Sequence, residues 1–406
     1  MSLFRWLSRS VKRTSTTFSP LRFPTSGFKV YGDDVFFEEE GLEEFRQGLF
    51  YPMQLGDTLA SRYQVVGKLG FGSTSTVWLA RDMQAQRHVV LKVYTRGQAH
   101  EEEFELYRTI RQTNPSHPGY PYVASALDTF MIQREGGYAH RCLVQRPMWD
   151  SFSALLNRNP SHRFTEELLK AGLQQIFLAL DYLHSECKIV HTDIKGDNIL
   201  QEIEDESILT EFVEKELEHP CPRKFVDGET IYARRSFSQP KRYGRAVLSD
   251  FGAAVRGDEK RNHDAQPNIY RSPEVMIKTD WKYPIDIWNV GAMVWDLFEG
   301  QHLFHGQDPD GEGYSTRAHL AELIGTLGPP PKEFLRRGKR SHEFFDEQGN
   351  FIADVPVAQR SLEEAETRLE GSNKSQFLDF VRGMLQWRPE DRKTAKELLN
   401  DSWLNS

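Results

Sequence analysis

Cysteine is scarce in this 406-residue chain, and its 3 copies, Cys142, Cys187 and Cys221, show no paired spacing. That excludes a disulfide framework and a cysteine-based zinc site, and it fits a reducing compartment. The chain also lacks any run of about 18 uncharged apolar residues, the length a membrane helix needs, so it reads as a soluble protein with no membrane partner. No internal repeat is visible. Acids are missing from residues 1–30, which carry Arg5, Arg9, Lys12, Arg13, Arg22 and Lys29. Setting those six aside leaves 45 basic against 59 acidic residues in the rest. So acidic a body disfavours direct nucleic-acid binding and suits basic protein partners, unless the charge serves solubility alone.

What is present falls into successive stretches. Residues 1–55 read as an N-terminal arm, basic and then acidic. Leu3, Phe4, Leu7 and Val11 share one quadrant of a helical wheel, with Arg5, Arg9, Lys12 and Arg13 on the other side. A basic, hydroxyl-rich, amphipathic start has the composition of a mitochondrial presequence. The alternative is an arm without fixed structure in which the wheel pattern is chance. From 56 to 149 the pattern is strand-rich, with short β-branched or aromatic runs at 63–69, 76–81, 88–94 and 142–145 and a helix at 101–111. From 150 to 406 it turns helical. The best case is 165–186, which aligns Leu168, Leu169, Leu173, Ile176, Leu180 and Leu183, with Thr165 and Glu167 near its start. A β-rich half followed by an α-rich half predicts an α+β protein of two lobes with a cleft between them. Residues 201–245 interrupt the second half, opening on acids from Glu202 to Glu218 and closing on Lys241, Arg242 and Arg245. They read as a surface insertion with one short helix.

The chemistry concentrates in a few short stretches. Gly70-Phe71-Gly72-Ser73-Thr74-Ser75-Thr76-Val77 lies between two predicted strands, which argues against a dinucleotide fold and for a hairpin over a triphosphate. Gly70 and Gly72 would let backbone N–H groups approach phosphate oxygens with no Cβ in the way. Lys92 closes the strand Val89-Val90-Leu91-Lys92, either as a solvated strand end or as a cation over the α- and β-phosphates. Its partner is sought among Glu101, Glu102, Glu103 and Glu105. Glu103 is selected because Phe104, Leu106 and Tyr107 then supply the buried flank. His191-Thr192-Asp193-Ile194-Lys195-Gly196-Asp197-Asn198-Ile199-Leu200 places a carboxylate, an ammonium and an amide in one loop. In phosphoryl transfer Asp193 would take the hydroxyl proton, Lys195 would balance charge on the moving group and Asn198 would hold Mg²⁺. A strand ending at Asp250-Phe251-Gly252 supplies a second metal-binding carboxylate, Asp250.

Taken together these motifs resemble the eukaryotic protein kinases over roughly residues 56–406. Ser272-Pro273-Glu274 matches the end of an activation segment. Asp286 matches the buried aspartate beneath the catalytic loop, and Arg392 is placed to pair with Glu274. The resemblance implies a two-lobed protein kinase fold, with a β-rich N-lobe at 56–149 and an α-helical C-lobe at 150–406. ATP and Mg²⁺ are the implied cofactors. It lines the nucleotide with Leu69, Gly70, Gly72, Ser75, Val77, Val90, Lys92, Arg146, Met148 and Leu200. Lys195, two residues after the base, points to serine/threonine rather than tyrosine acceptors. A pseudokinase that binds ATP without turnover is the alternative, although Lys92, Asp193 and Asp250 are all present.

Finer features resemble the SR-protein kinases, and fungal members in particular. They are His-Thr-Asp at 191–193, Ser75 in place of a third glycine, Gln266 to Arg271 before Ser-Pro-Glu, His342-Glu343-Phe344-Phe345, and Pro222-Arg223-Lys224 in the compact insertion. This implies serines of Arg/Ser-rich splicing factors as substrates, or other serine/threonine substrates if that docking is lost. It also implies a monomer shared between cytoplasm and nucleus. Departures from the family pattern are Val90 for the usual alanine, Gln145 at the gatekeeper position, and Arg146 after it. Where the family has clustered docking acids, this chain has Ser315-Thr316-Arg317-Ala318, with Asp308, Asp310 and Glu312 upstream, either as replacements or as a solvated loop. No Ser or Thr lies between Gly252 and Ser272, where Tyr270 is the one hydroxyl. Thr192 leaves the catalytic loop without an arginine to clamp a phosphate. Activity without activation-loop phosphorylation is therefore expected.

Overall fold

The computed structural model describes residues 18–97, 101–134, 137–311 and 313–406. The amphipathic pattern at Leu3 to Arg13 and the acid Glu312 lie outside the described residues. Two compact units emerge. One holds the chain to Gly97, Leu127–Pro147 and Ser207–Ser238, and the other holds Gln98–Ala126, Met148–Glu206 and Gln239–Ser406.

The first unit is built on an antiparallel sheet of β1 (Thr58–Leu59), β2 (Tyr63–Gly72), β3 (Ser75–Asp82), β4 (Arg87–Tyr94), β5 (Asp128–Gln133) and β6 (Ala139–Gln145) in the order β1-β2-β3-β4-β6-β5. Ser73 and Thr74 turn β2 into β3, pairing Gly72 with Ser75 and Gly70 with Val77. Alternation places Val65, Trp78, Val89, Leu91, Val93, Cys142 and Val144 in one core. The insertion joins that core through Cys221 and Tyr232, whose ring meets Trp78 edge-on at 5.9 Å.

Within 201–245, read from sequence as a surface insertion of the second half with one short helix, Ser207–Ser238 groups with this first unit. Ser207–Glu218 is a three-turn helix that buries Ile208, Leu209, Phe212 and Val213. It is followed by a hairpin of Arg223–Val226 with Glu229–Tyr232. Phe212 packs on β2 where Gly67 leaves room, since a Cβ there would collide with its ring.

Residues 18–55, read from sequence as a separate arm, also belong to this unit. The Gln64 side chain clasps the Leu21 backbone by two 2.9 Å hydrogen bonds. The Arg81 guanidinium lies 4.2 Å from the Phe18 ring and donates to the Ser19 carbonyl at 2.8 Å. Further on, the chain runs beside the insertion hairpin, bonded from Arg223 N to Lys29 O and from Tyr31 N to Arg223 O, each at 3.0 Å.

The second unit is mainly helical, and it claims α1 (Glu101–Gln112), which the sequence reading put in the first lobe. Packing explains this: the Tyr107 ring sits 5.3 Å from Phe251, and the Tyr182 hydroxyl donates to the Ile110 carbonyl at 2.7 Å. Thr165 Oγ caps α2 (Glu166–Asp181) by accepting from the Leu168 N–H at 3.3 Å. Its buried stripe is Leu169, Leu173, Ile176, Phe177 and Leu180. Leu168, expected on that stripe, is 42% exposed, because it precedes the stripe's first residue by a 100° step. A wide turn at Tyr182–Cys187 ends on Lys188 in the left-handed region. α3 (Pro284–Phe298) is buried nearly all round, as its composition demands. Among the described residues no helix is long and apolar enough to cross a membrane. Cys142 and Cys221 are buried in the first unit and Cys187 in the second, all as free thiols.

Candidate active site

In the second unit the loop at residues 191–198 hangs between the strands Ile189–Val190 and Ile199–Ile203. Asp286, fully buried on α3, holds it from beneath. Its carboxylate accepts from the backbone N–H of His191 and of Thr192 at 2.8 Å each, and from His184 Nε2 at 2.9 Å. Thr192 can thereby hold φ 69°, an outlier for a β-branched residue, while its hydroxyl donates to the Ala253 carbonyl at 2.8 Å. His191 Nδ1 accepts from the Asp193 N–H at 3.3 Å and its Nε2 faces the Ser249 carbonyl at 3.0 Å, which fits the tautomer with the proton on Nε2.

These supports bring Asp193, Lys195 and Asn198 together. Asp193 Oδ2 accepts from Lys195 Nζ at 2.9 Å and from Asn198 Nδ2 at 2.8 Å. Asn198 Nδ2 also reaches the Asp193 carbonyl at 2.8 Å. The amide N–H₂ is thus spent on Asp193, while Asn198 Oδ1 accepts no protein hydrogen bond among the described residues. The Ile199–Ile203 strand pairs antiparallel with Tyr243–Leu248, matching Leu248 to Ile199, so Asn198 and Asp250 sit at the same end of the pair. An amide oxygen and a carboxylate form the hard, all-oxygen donor set that Mg²⁺ prefers, so these residues fit that ion. Asp250 itself has φ 64°, a second strained backbone, of the kind that gathers at functional sites.

The Phe251 ring, fully buried, lies 5.1 Å from His191 and 5.3 Å from Tyr107. That stack ties α1 to the loop. It also brings Glu103, itself buried, close: a Cβ on Gly252 would stand 3.4 Å from Asp250 Oδ1 and 3.7 Å from Glu103 Oε2. Met148 and Leu200 lie on the paired strands Met148–Ser151 and Ile199–Ile203 of this unit.

The remaining sequence-selected residues fall in the first unit. Gly70 and Gly72 face open space, where a ligand's oxygens could approach. Val77 pairs with both Gly70 and Lys92, and Val90 pairs with Leu79 and Gln145. Ser75 is buried at the hairpin end, Leu69 half-buried before it, and Arg146 exposed after β6. Lys92 Nζ lies 5.0 Å from the Tyr94 ring centre. Lys92 and Glu103 therefore sit on different units.

Beside Asp193 and Lys195 opens a cavity of about 550 Å³, whose far wall is the activation segment from His263 to Pro267 and Arg271. That segment is pinned from several sides. Val255 and Arg256 pair with Val190 and Ile189, and Trp281 Nε1 donates to the His263 carbonyl at 3.0 Å. Gln266 Nε2 donates to the Ile285 carbonyl at 2.8 Å, and its Oε1 accepts from Ser272 N and Oγ at 2.9 Å each. Lys278 hydrogen-bonds Asp264 and holds its carboxyl below the usual range. Tyr270 is buried with its hydroxyl on Asp296. Burial, and then the Asp296 charge, push its phenol well above the ordinary value. Farther along, Glu274 and Arg392 form the expected pair, fully buried and bidentate at 2.6 and 2.7 Å.

Sequence reasoning missed His184, Gln266 and Asp296 as supports. His184 acts on Asp286 and Asp296 on Tyr270, residues distant in sequence, whereas Gln266 acts on Ser272 and Ile285 from within the stretch singled out before Ser-Pro-Glu. A periodicity check could have flagged Asp296, a carboxylate near the end of a helix buried almost all round.

Residues 63–404 match the family described as protein kinase domain. A serine/threonine protein kinase of Aspergillus fumigatus is 42% identical over 410 residues, spanning 100% of this chain and 99% of its own. The serine/threonine-protein kinase SRPK of Physarum polycephalum is 28% identical, covering 92% of this chain and 93% of its own. SRSF protein kinase 3 of Mus musculus is 24% identical, with 91% of each chain covered.

Proposed function

From the premise that this chain belongs to the protein kinase family, as a serine/threonine kinase, we propose that it phosphorylates serines in Arg/Ser-rich proteins without prior phosphorylation of its own activation segment. One observation carries the second half: the segment is already held by Gln266, Trp281 and Asp264–Lys278, and its one hydroxyl, Tyr270, is buried on Asp296. A phosphate has nothing left to order there. The substrate half rests on the relatives named for SR proteins and on the acid surplus of the chain.

In this reading the acceptor serine enters the cavity beside Asp193, whose carboxylate would take the hydroxyl proton as the oxygen attacks the γ-phosphorus and ADP departs with the bridging oxygen. Lys195, already on Asp193, sits where charge develops on the transferred group. Mg²⁺ held by Asn198 and Asp250 would neutralise phosphate charge. Gly70 and Gly72 would cover the ATP phosphates with backbone N–H groups, and Lys92 would supply their counter-charge.

A second reading, a serine/threonine kinase of other substrates, is favoured by one feature. Arg317 makes a two-point hydrogen bond to Asp308 at 2.8 and 2.7 Å and also bonds Asp310. An internal guanidinium therefore already takes the carboxylates that would otherwise receive a substrate arginine. Residence in cytoplasm and nucleus forms part of the proposal. Removal of residues 1–30 as a leader would strip Phe18 from Arg81 and Leu21 from Gln64.

The test is labelled-phosphate transfer from Mg-ATP to an Arg-Ser repeat peptide beside a Ser-Pro peptide, before and after phosphatase treatment of the kinase. Transfer to the repeat peptide at an unchanged rate after treatment is expected. Transfer to the Ser-Pro peptide alone overturns the substrate class. Loss of activity on dephosphorylation overturns the regulation.

A further inference from the structure

The hairpin at residues 69–77 is held at its base by two segments far away in sequence. Lys68, just before the hairpin, is buried, with its side chain 0% exposed. Its ammonium donates to the Glu39 carboxylate and to the Tyr232 carbonyl, the latter at 3.0 Å, with Glu38 at 3.9 Å. The Lys68 carbonyl accepts from the Arg235 N–H at 2.9 Å, and Arg235 Nε is fixed by buried Glu216 at 2.8 Å. Arg234 N–H donates to Glu38 at 3.2 Å. Phe71, between the two glycines, has the Lys68 ammonium at 5.0 Å and the Arg234 guanidinium at 5.8 Å. The register slips between Lys68 and Gly70, so this anchor coincides with a bulge that aims the hairpin. The neighbouring Glu40 holds buried Lys224 of the insertion at 2.7 Å, so one acidic turn clasps both the hairpin base and the insertion.

We propose that Glu39 and Lys68 are positioning residues for the nucleotide. By clasping the bulge, the N-terminal turn and the insertion together set the angle at which the backbone N–H groups of Gly70 and Gly72 meet the phosphates. The proposal rests on the reading of that hairpin as the phosphate cover. With Glu39 made neutral the buried ammonium keeps only the Tyr232 carbonyl and Glu38 at 3.9 Å, and the shift that closes it on Glu38 moves the adjoining bulge. What is lost is pre-organisation of the phosphate-binding backbone.

Calorimetric titration of Mg-ATP into the full chain and its Glu39→Gln, Glu39→Asp and Glu39→Gln/Lys68→Met variants tests this without requiring turnover. Glu39→Gln is expected to bind about tenfold more weakly, Glu39→Asp to stay close to the wild type, and the double variant to recover part of the loss. Peptide phosphorylation at varied ATP should show the same change in KM with kcat little altered. A Glu39→Gln protein that melts earlier yet binds Mg-ATP as the wild type does would leave Glu39 a merely structural residue and overturn the proposal. So would a wild type that binds no Mg-ATP. A wild type that binds but transfers nothing would defeat the kinase reading alone.

Discussion

Phosphate transfer by an Asp193→Asn variant is expected to fall by roughly two to four orders of magnitude, the usual contribution of a general base, while its melting stays close to that of the wild type. The two halves of this expectation come from different atoms. With Asp193 as the proposed base, activity would depend on its carboxylate, which has Lys195 at 2.9 Å and Asn198 at 2.8 Å around Oδ2. An amide in its place can still accept from one of these donors but cannot take a proton from serine. The loop's shape depends instead on Asp286 beneath it and on His191 against the Ser249 carbonyl, neither of which the substitution touches. Single-turnover transfer to the peptide, set beside circular-dichroism melts, gives both readings. A residual rate within a few-fold of wild type would remove Asp193 from the role of base.

Unfolding of the second unit should lose about 3–5 kcal/mol on Arg392→Ala, the cost of breaking a buried ion pair by deleting one partner. Both side chains are fully buried, and Arg392 further donates to the carbonyls of Gln386 and Pro284 at 3.0 Å while lying 4.9 Å from the Trp288 ring. Its removal strands the Glu274 charge and leaves those carbonyls short of donors. Arg392→Lys keeps the charge but not the two-point geometry, so an intermediate loss follows. Urea melts followed by tryptophan fluorescence suit the measurement, because Trp149, Trp281, Trp288, Trp295, Trp387 and Trp403 all belong to this unit. A midpoint that does not move, at unchanged slope, would mean that the pair contributes nothing net. Glu274 follows soon after Arg271 of the cavity wall, so weaker peptide binding should accompany the lost stability.

Residues acting within a few positions of one another were the legible ones. The 191–200 loop and Asp250-Phe251-Gly252 concentrate their chemistry locally, and the strands at 63–72, 75–82 and 87–94 announce themselves by β-branched and aromatic runs. Thr165 marked the start of α2 through its own side chain. The association of the insertion with the first unit was illegible for the opposite reason. It is decided by Tyr232 on Trp78, Phe212 against Gly67 and Arg235 on Lys68, pairs that lie far apart along the chain. Its hairpin strands are four residues each and mix charge with apolar side chains, too short for an alternation to declare itself. The acidic turn Glu38-Glu39-Glu40 falls within the arm at 1–55, read from sequence only as basic and then acidic. Its function as a clasp appears only once Lys68 and Lys224 are seen buried beneath it.

The three thiols give the protein a built-in clock for its own breathing. Each is shielded, and burial also drives each one away from the reactive thiolate, Cys221 being pushed up to about 12 and Cys142 and Cys187 likewise raised. A maleimide can modify them only when the surrounding packing opens, so labelling rates count openings rather than surface encounters. Because Cys142 and Cys221 belong to one unit and Cys187 to the other, mass spectrometry of the labelled peptides times the two halves separately in a single unmodified sample.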